Sequence, residues 1–176
     1  MEPSTLEKER LDSRYEEIRS VYLADRRPWV IGYSGGKDST TALQMIWYAL
    51  LKLPRHQLTK PVYVIASDTL VETPKIVDYI DSSLKRMNDT AQRENLPFSA
   101  HKVKPVLENT FWVNLIGRGY PAPSKRFRWC TDRLKIDPAN RFILEKVAEH
   151  GEVVMVLGVR KAESATRAQV KRRPRS

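Results

Sequence analysis

The stretch Ser34-Gly35-Gly36-Lys37-Asp38-Ser39 is built from residue types that suit an anion. Adjacent glycines let the backbone turn its N–H groups toward a negative charge, and Ser34, Ser39 and Thr40 add hydroxyl donors. A helix that starts beside Ser39 aims its positive end at the same point. The chemistry is that of a phosphate cradle, with Lys37 to neutralise charge and Asp38 to orient the loop or to hold magnesium through water. It is not a Walker A loop. Gly32 stands only four positions before Gly36, and Asp38 occupies the place of the magnesium-binding Ser or Thr.

Two other stretches offer groups to the same ligand. Asp68-Thr69-Leu70-Val71-Glu72-Thr73 follows an apolar run with two carboxylates and two hydroxyls. Arg160, Glu163, Ser164 and Arg167 follow another, and the guanidinium fork matches phosphate in a way that lysine does not. By spacing alone, Glu163 and Arg167 would make an i,i+4 surface pair. Between these stretches lie Arg118, Lys125, Arg126, Arg128, Arg133 and Lys135, interleaved with Tyr120, Phe127 and Trp129 and with Pro121 and Pro123. That mixture predicts an ordered loop with stacking groups, suited to nucleic acid or a nucleoside triphosphate. Gly117-Arg118-Gly119-Tyr120-Pro121-Ala122 also fits a dinucleotide-binding string, but a helix precedes it and prolines follow, so that reading is rejected.

The elements that must position these residues alternate along the chain. Leu11, Tyr15, Ile18 and Tyr22 recur at helical spacing and predict an amphipathic helix packed on the body. Residues 29–33 make a short buried strand, and Leu43, Ile46, Trp47 and Leu50 mark the apolar face of a helix starting near Ser39. Residues 62–66 make a second buried strand. Thr73 and Pro74 are the cap and first residue of a helix carrying Ile76, Ile80, Leu84, Met87 and Ala91 on one side. Residues 98–103 are extended, and 111–116 are helical with Gly117 as the stop. Asp137-Pro138 opens a helix closed by Gly151, and 153–157 form a last strand. The expectation is an α/β fold, a parallel sheet with helices on both faces and ligands beyond the C-terminal strand ends. That rule selects residues 34–39, 67–73 and 158–167, the stretches already marked by their chemistry.

The chain has 176 residues, 41% of them hydrophobic, and a formal net charge of +10. A single domain with a real core is expected, which excludes wholesale disorder. The apolar runs are too short to span a bilayer and the charged N-terminus has no secretory core, so a cytoplasmic location without a membrane partner is expected. The one cysteine, Cys130, permits no internal disulfide, and His56, His101 and His150 are dispersed. Alone they cannot complete a zinc or iron–sulfur site. The divisions expected are an N-terminal helix over 1–25, the main domain over 26–170 and a basic tail over 171–176.

The glycine loop resembles the SGGxDS loop of the N-type ATP pyrophosphatases of the PP-loop superfamily, which release pyrophosphate from ATP while adenylating an acceptor. Residues 68–73 resemble the DTG…PET region of the phosphoadenylylsulfate (PAPS) reductases, a subgroup of that superfamily, and 158–167 resemble their GxRxxES…R segment. Residues 33–40, 47–50, 111–123 and 127–136 are similar to the DndC family of DNA sulfur-modification proteins. The resemblance covers about Arg26 to Arg167 and implies an adenine nucleotide alpha-hydrolase-like fold. The implied activity is ATP pyrophosphatase in DNA phosphorothioation, as found in restriction-modification systems, where adenylation turns a phosphate oxygen into departing AMP so that sulfur can replace it.

The resemblance also implies roles for particular residues. Tyr33, Ser34, Gly35, Gly36, Lys37, Asp38, Ser39, Thr40 and Asp68 would bind ATP, with Mg²⁺ on Asp38 and Asp68. Glu72, Thr73, Arg160, Glu163, Ser164 and Arg167 would bind the phosphate being activated, with Lys37, Asp38 and Arg160 catalytic. Lys125, Arg126, Arg128, Trp129, Arg133 and Lys135 would contact DNA. Cys130 falls at an RWCT position, where longer relatives have a cysteine associated with an iron–sulfur cluster or sulfur chemistry. This chain lacks their later cysteines and the C-terminal catalytic cysteine of PAPS reductases, so activation without sulfuration is expected of it alone. Implied partners are DNA, a cysteine desulfurase as sulfur donor and other phosphorothioation proteins. Two further readings stand beside this one: a PAPS reductase or sulfate-activating enzyme, and a non-catalytic DNA-binding or scaffolding fragment of a modification complex.

Overall fold

The computed structural model describes residues 5–124 and 126–159, with side chains from residue 11 onward. Strands β1 (Trp29–Gly32), β2 (Val62–Ser67), β3 (Phe98–Val103) and β4 (Val154–Leu157) form one parallel sheet in the order β3-β2-β1-β4. The two inner strands are the most deeply buried, because an inner strand of a covered sheet is buried on both faces. Trp29, Val30 and Ile31 are fully enclosed, as are Val62, Val64, Ile65 and Ala66. At the edges, polar Ser99, His101 and Lys102 enter β3, and Met155 and Leu157 of β4 are exposed.

Helices α1 (Thr5–Leu23), α2 (Lys37–Leu51) and α3 (Pro74–Glu94) cover one face. Tyr22, Leu43, Ile46, Leu50, Leu84 and Ala91 pack there on Ile31, Val62, Val64 and Phe98. The last helix, α5 (Asp137–His150), covers the other face, bringing Ala139, Phe142 and Ile143 to Val30, Ile65 and Val103. The chain runs outward from β1 through β2 to β3 and then crosses to place β4 on the far side of β1. Strand order therefore reverses at β1, and the crevice beyond its C-terminal end is where such sheets bind ligands.

Helix α1 is tied down at its end. Tyr22 Oη donates to the Lys60 carbonyl at 2.9 Å, and the buried Lys60 ammonium lies 2.8 Å from Asp25 Oδ1 and over the Tyr22 and Trp29 rings. Burial pushes the Tyr22 phenol above its ordinary pKa. Leu11 is exposed, so the apolar stripe expected along this helix engages the body through Ile18 and Tyr22. Ile76 on α3 is exposed as well, while Ile80, Leu84, Met87 and Ala91 turn inward.

Between β3 and α5 the chain forms a small cluster of its own. Phe111 stacks on Trp129 with centroids 5.4 Å apart, Tyr120 meets Trp129 edge-on, and Trp129 Nε1 donates to the Pro121 carbonyl at 3.0 Å. The helical segment expected over 111–116 is present: Phe111 and Trp112 run into a π turn, Val113–Gly117, closed by Arg118 N–H to the Val113 carbonyl. The short helix α4 (Trp129–Thr131) runs through a second π turn, Asp132–Ile136, directly into α5.

Candidate nucleotide site

Beyond β1 the chain must turn from strand into helix within four residues. Gly35 makes the turn at φ +70°, a conformation in which a side chain is strained. Ser39 then closes it: its buried hydroxyl donates to the Gly36 carbonyl at 3.0 Å and accepts from the Ser34 N–H at 3.2 Å. The Ser34 hydroxyl lies 3.1 Å from the same oxygen and is exposed. Ser39, expected on phosphate, is thus the loop's internal staple. Helix α2 starts at Lys37, two residues ahead of expectation, with Gly36 as an N-cap that supplies no side-chain acceptor. The first-turn N–H groups keep their anion-binding character.

Gly158, just past β4, touches the first turn of α2. A Cβ on it would lie 2.5 Å from the Asp38 carbonyl oxygen and 3.0 Å from Ser39 Cα. Only glycine lets the end of β4 approach so closely.

The end of β2 supplies the other wall. Asp68 is buried; its Oδ1 accepts from the Leu70 N–H at 3.0 Å, and its Oδ2 lies 3.6 Å from both the Lys102 and Lys104 ammonium groups. The turn it stabilises places Leu70 at φ +62°. Thr69 Oγ1 donates to Glu72 at 2.9 Å. Lys102 also binds Asp81 at 2.6 Å, and that carboxylate is the main reason its pKa is raised. Thr73 takes the N-cap position of α3 without a side-chain capping bond; its carbonyl accepts from the Ile76 and Val77 N–H groups.

These elements enclose a cavity of about 300 Å³. Ser34, Ser67, Asp68, Glu72, Lys102 and Lys135 line its polar side, and Ile76, Val77 and Ile80 of α3 make an apolar wall. Apolar walls with a few convergent polar groups are the usual form of a small-molecule site. Tyr33 stands between this cavity and a second hollow of about 450 Å³ between α2 and α3. Burial pushes the Tyr33 phenol above its ordinary pKa, and the neighbouring Tyr79 adds to the rise.

Several expected contacts are redistributed. Lys135 lines the cavity between Ser34 and Asp68, whereas Arg133 is half-buried with Nη1 3.3 Å from Asn109 Oδ1. Trp129, expected to stack on a base, is 5% exposed and spent on Phe111 and Tyr120. The exposed rings of this region are Trp112 and Phe127, beside exposed Arg126 and Arg128. Cys130 is half-buried as a free thiol. Lys125, Arg160, Glu163, Ser164 and Arg167 lie outside the described residues. Lys102 and Lys104 were missed from sequence; the strand-end rule, applied to β3, would have found them.

A resident magnesium ion does not fit Asp68, because two ammonium groups already face its Oδ2 and the Leu70 N–H takes its Oδ1. Among the described residues no three His, Cys, Asp or Glu side chains are grouped to hold a metal ion. Nor is any described helix long and apolar enough to cross a membrane.

The matching family is the phosphoadenosine phosphosulfate reductase domain, over residues 28–174, and the chain belongs to it. Its parallel four-stranded α/β sheet with the loop after β1 is the PAPS reductase domain of the PP-loop superfamily, a family of enzymes acting on adenine nucleotides. A curated relative, an uncharacterised protein of Methanocaldococcus jannaschii, is 28% identical over 155 residues, or 88% of this chain. The match covers 27% of that relative's length. Among solved structures, the U34-tRNA thiolase NcsA from Methanococcus maripaludis with its 4Fe-4S cluster aligns over 86% of this chain and 46% of that one, at TM-score 0.48 and 13% identity.

Proposed function

We propose that this chain is the nucleotide-binding part of an ATP pyrophosphatase that adenylates a DNA phosphate so that sulfur can replace one of its oxygens. The observation that carries this reading is the meeting of the Gly35 turn, the start of α2 and the Lys102–Lys135 cavity at the reversal of strand order. The N–H groups of the loop and the Ser34 hydroxyl would hold the terminal phosphates, and Lys37 would neutralise charge as they leave. Lys102 and Lys135 face the same cavity and would hold the α-phosphate side. An oxygen of the acceptor phosphate attacks the α-phosphorus, the α–β bridging bond breaks, and pyrophosphate departs. A sulfur nucleophile delivered by a partner then displaces AMP. Magnesium would arrive on the triphosphate with its waters. The similarity of residues 111–136 to the DndC family supports DNA as acceptor.

A second reading, reduction of a sulfonucleotide, is favoured by the family match itself, since the same cavity would take its adenylate. Pyrophosphate release from Mg-ATP, with and without DNA, for the parent and Asp38→Ala, separates them. Release stimulated by DNA and lost in the variant supports the proposal. Orthophosphate as the only product, or a variant as active as the parent, refutes it, and turnover of PAPS with a thiol reductant selects the second reading.

A further inference from the structure

On the other side of the β3 end lies a cavity of about 310 Å³, lined by Asn109, Arg133, Asp137, Asn140 and Arg141. It connects to the nucleotide cavity through named contacts. Lys104 reaches Asp68 in the first cavity, and its carbonyl accepts from Arg141 Nη2 at 2.7 Å in the second. Arg133 and Arg118 both approach Asn109 Oδ1, at 3.3 and 3.5 Å, and Arg118 also approaches Asn114 Oδ1 at 3.3 Å. Lys135, two residues beyond Arg133, lines the nucleotide cavity.

The partners of these arginines are amide and carbonyl oxygens. Among the described residues Arg118, Arg133, Arg141 and Lys135 form no ion pair with a carboxylate. A neutral acceptor fixes a guanidinium through one or two of its five N–H donors and leaves its charge uncancelled. An ion pair would cancel it. Asp137 is the one carboxylate lining this cavity, against two guanidiniums. The result is a row of oriented cations with donors to spare, which loses little entropy when an anion binds.

We infer that these residues form a track for a DNA backbone, running from the nucleotide cavity past Lys104 to the Arg133–Arg141 cavity. It seats phosphates that flank the one being activated. The inference rests on the DNA-activating reading above and assigns the path of the acceptor strand. Arg118 already belonged to the basic segment marked by its sequence; Arg141 and Asn140 enter the track although their sequence context gave no sign of a role.

The test is binding of a fluorescent DNA duplex by the full chain at several salt concentrations. The variants are Arg133→Gln, Arg141→Gln, Arg141→Lys and the exposed Asn140→Asp, with melting temperature as the control for folding. Loss of one phosphate contact should make the slope of log affinity against log salt shallower by about 1. Arg133→Gln and Arg141→Gln should each show this, Asn140→Asp should weaken binding, and Arg141→Lys should keep the parental slope. If the parent binds DNA and the folded variants bind with unchanged affinity and slope, the track is wrong while DNA remains the partner. If the parent binds a free nucleotide but no DNA, the DNA reading and the track fall together.

Discussion

A Cβ on Gly158 would meet the Asp38 carbonyl oxygen at 2.5 Å and its carbonyl carbon at 2.8 Å. Both obstacles are backbone, so neither can swing aside. Gly158→Ala must push β4 off α2 or deform the first helical turn, and overpacking of this kind costs about 1–3 kcal/mol. Because that turn carries the loop, Mg-ATP affinity should fall together with the denaturation midpoint. Titration of ATP beside urea unfolding checks this; an unchanged variant in both assays would mean that the strand end and the helix do not touch.

The two loop glycines should respond differently to alanine. At Gly35 the left-handed backbone strains any side chain, by about 1–2 kcal/mol, and a Cβ would also lie 3.1 Å from Ile80 Cδ1. Gly36 is extended at φ −80°, ψ 166°, with Ser34 Oγ at 3.4 Å as its nearest neighbour. Gly36→Ala should therefore cost less than about 1 kcal/mol. Chemical denaturation of both variants reads the difference, and equal losses would show that the turn is not built as described.

Lys60 and Arg27 hold the Asp25 carboxyl far below the usual carboxylate range, the hydrogen bond from Lys60 being the larger cause. In the unfolded chain aspartate titrates near about 3.9. A depressed folded pKa contributes stability that is present above that value and is lost as pH falls through the folded pKa. Asp25→Asn should thus lower the melting temperature at neutral pH, and the gap to the parent should close as the pH drops below about 4. Melting curves from pH 7 to pH 2.5 test this; a gap independent of pH would remove the electrostatic account of how α1 is anchored.

Trp129 and Phe127 lie two residues apart in the same basic segment, yet one is 5% and the other 45% exposed. Truncating a buried tryptophan costs about 3–5 kcal/mol, so Trp129→Ala should unfold the Phe111–Tyr120 cluster. Phe127→Ala should stay within about 0.5 kcal/mol of the parent in stability. Near-UV circular dichroism with urea unfolding distinguishes them. A stable Trp129→Ala protein would return this ring to the list of base-stacking candidates.

The sequence by itself determined the four strands, the sites of the major helices and the turn after β1, because each rests on a local signal. Apolar runs marked β1, β2 and β4, adjacent glycines marked the turn, and Thr73-Pro74 and Gly151 marked helix ends. The strand-end rule also placed Asp68 in the site, since it needs only strand direction. What local pattern could not decide was which residues meet across the fold. That Gly158 presses on Asp38 depends on β4 pairing with β1, a contact between segments more than a hundred residues apart. Lys102, Lys104 and Lys135 converge on the Asp68 side because β3 lies beside β2 and the second π turn swings Lys135 toward the cavity. In the basic segment the sequence showed rings and cations in alternation, and tertiary packing sorted them. Burying Trp129 against Phe111 removes more apolar surface from water than exposure to a ligand would permit, so that ring became core while Phe127 stayed outside.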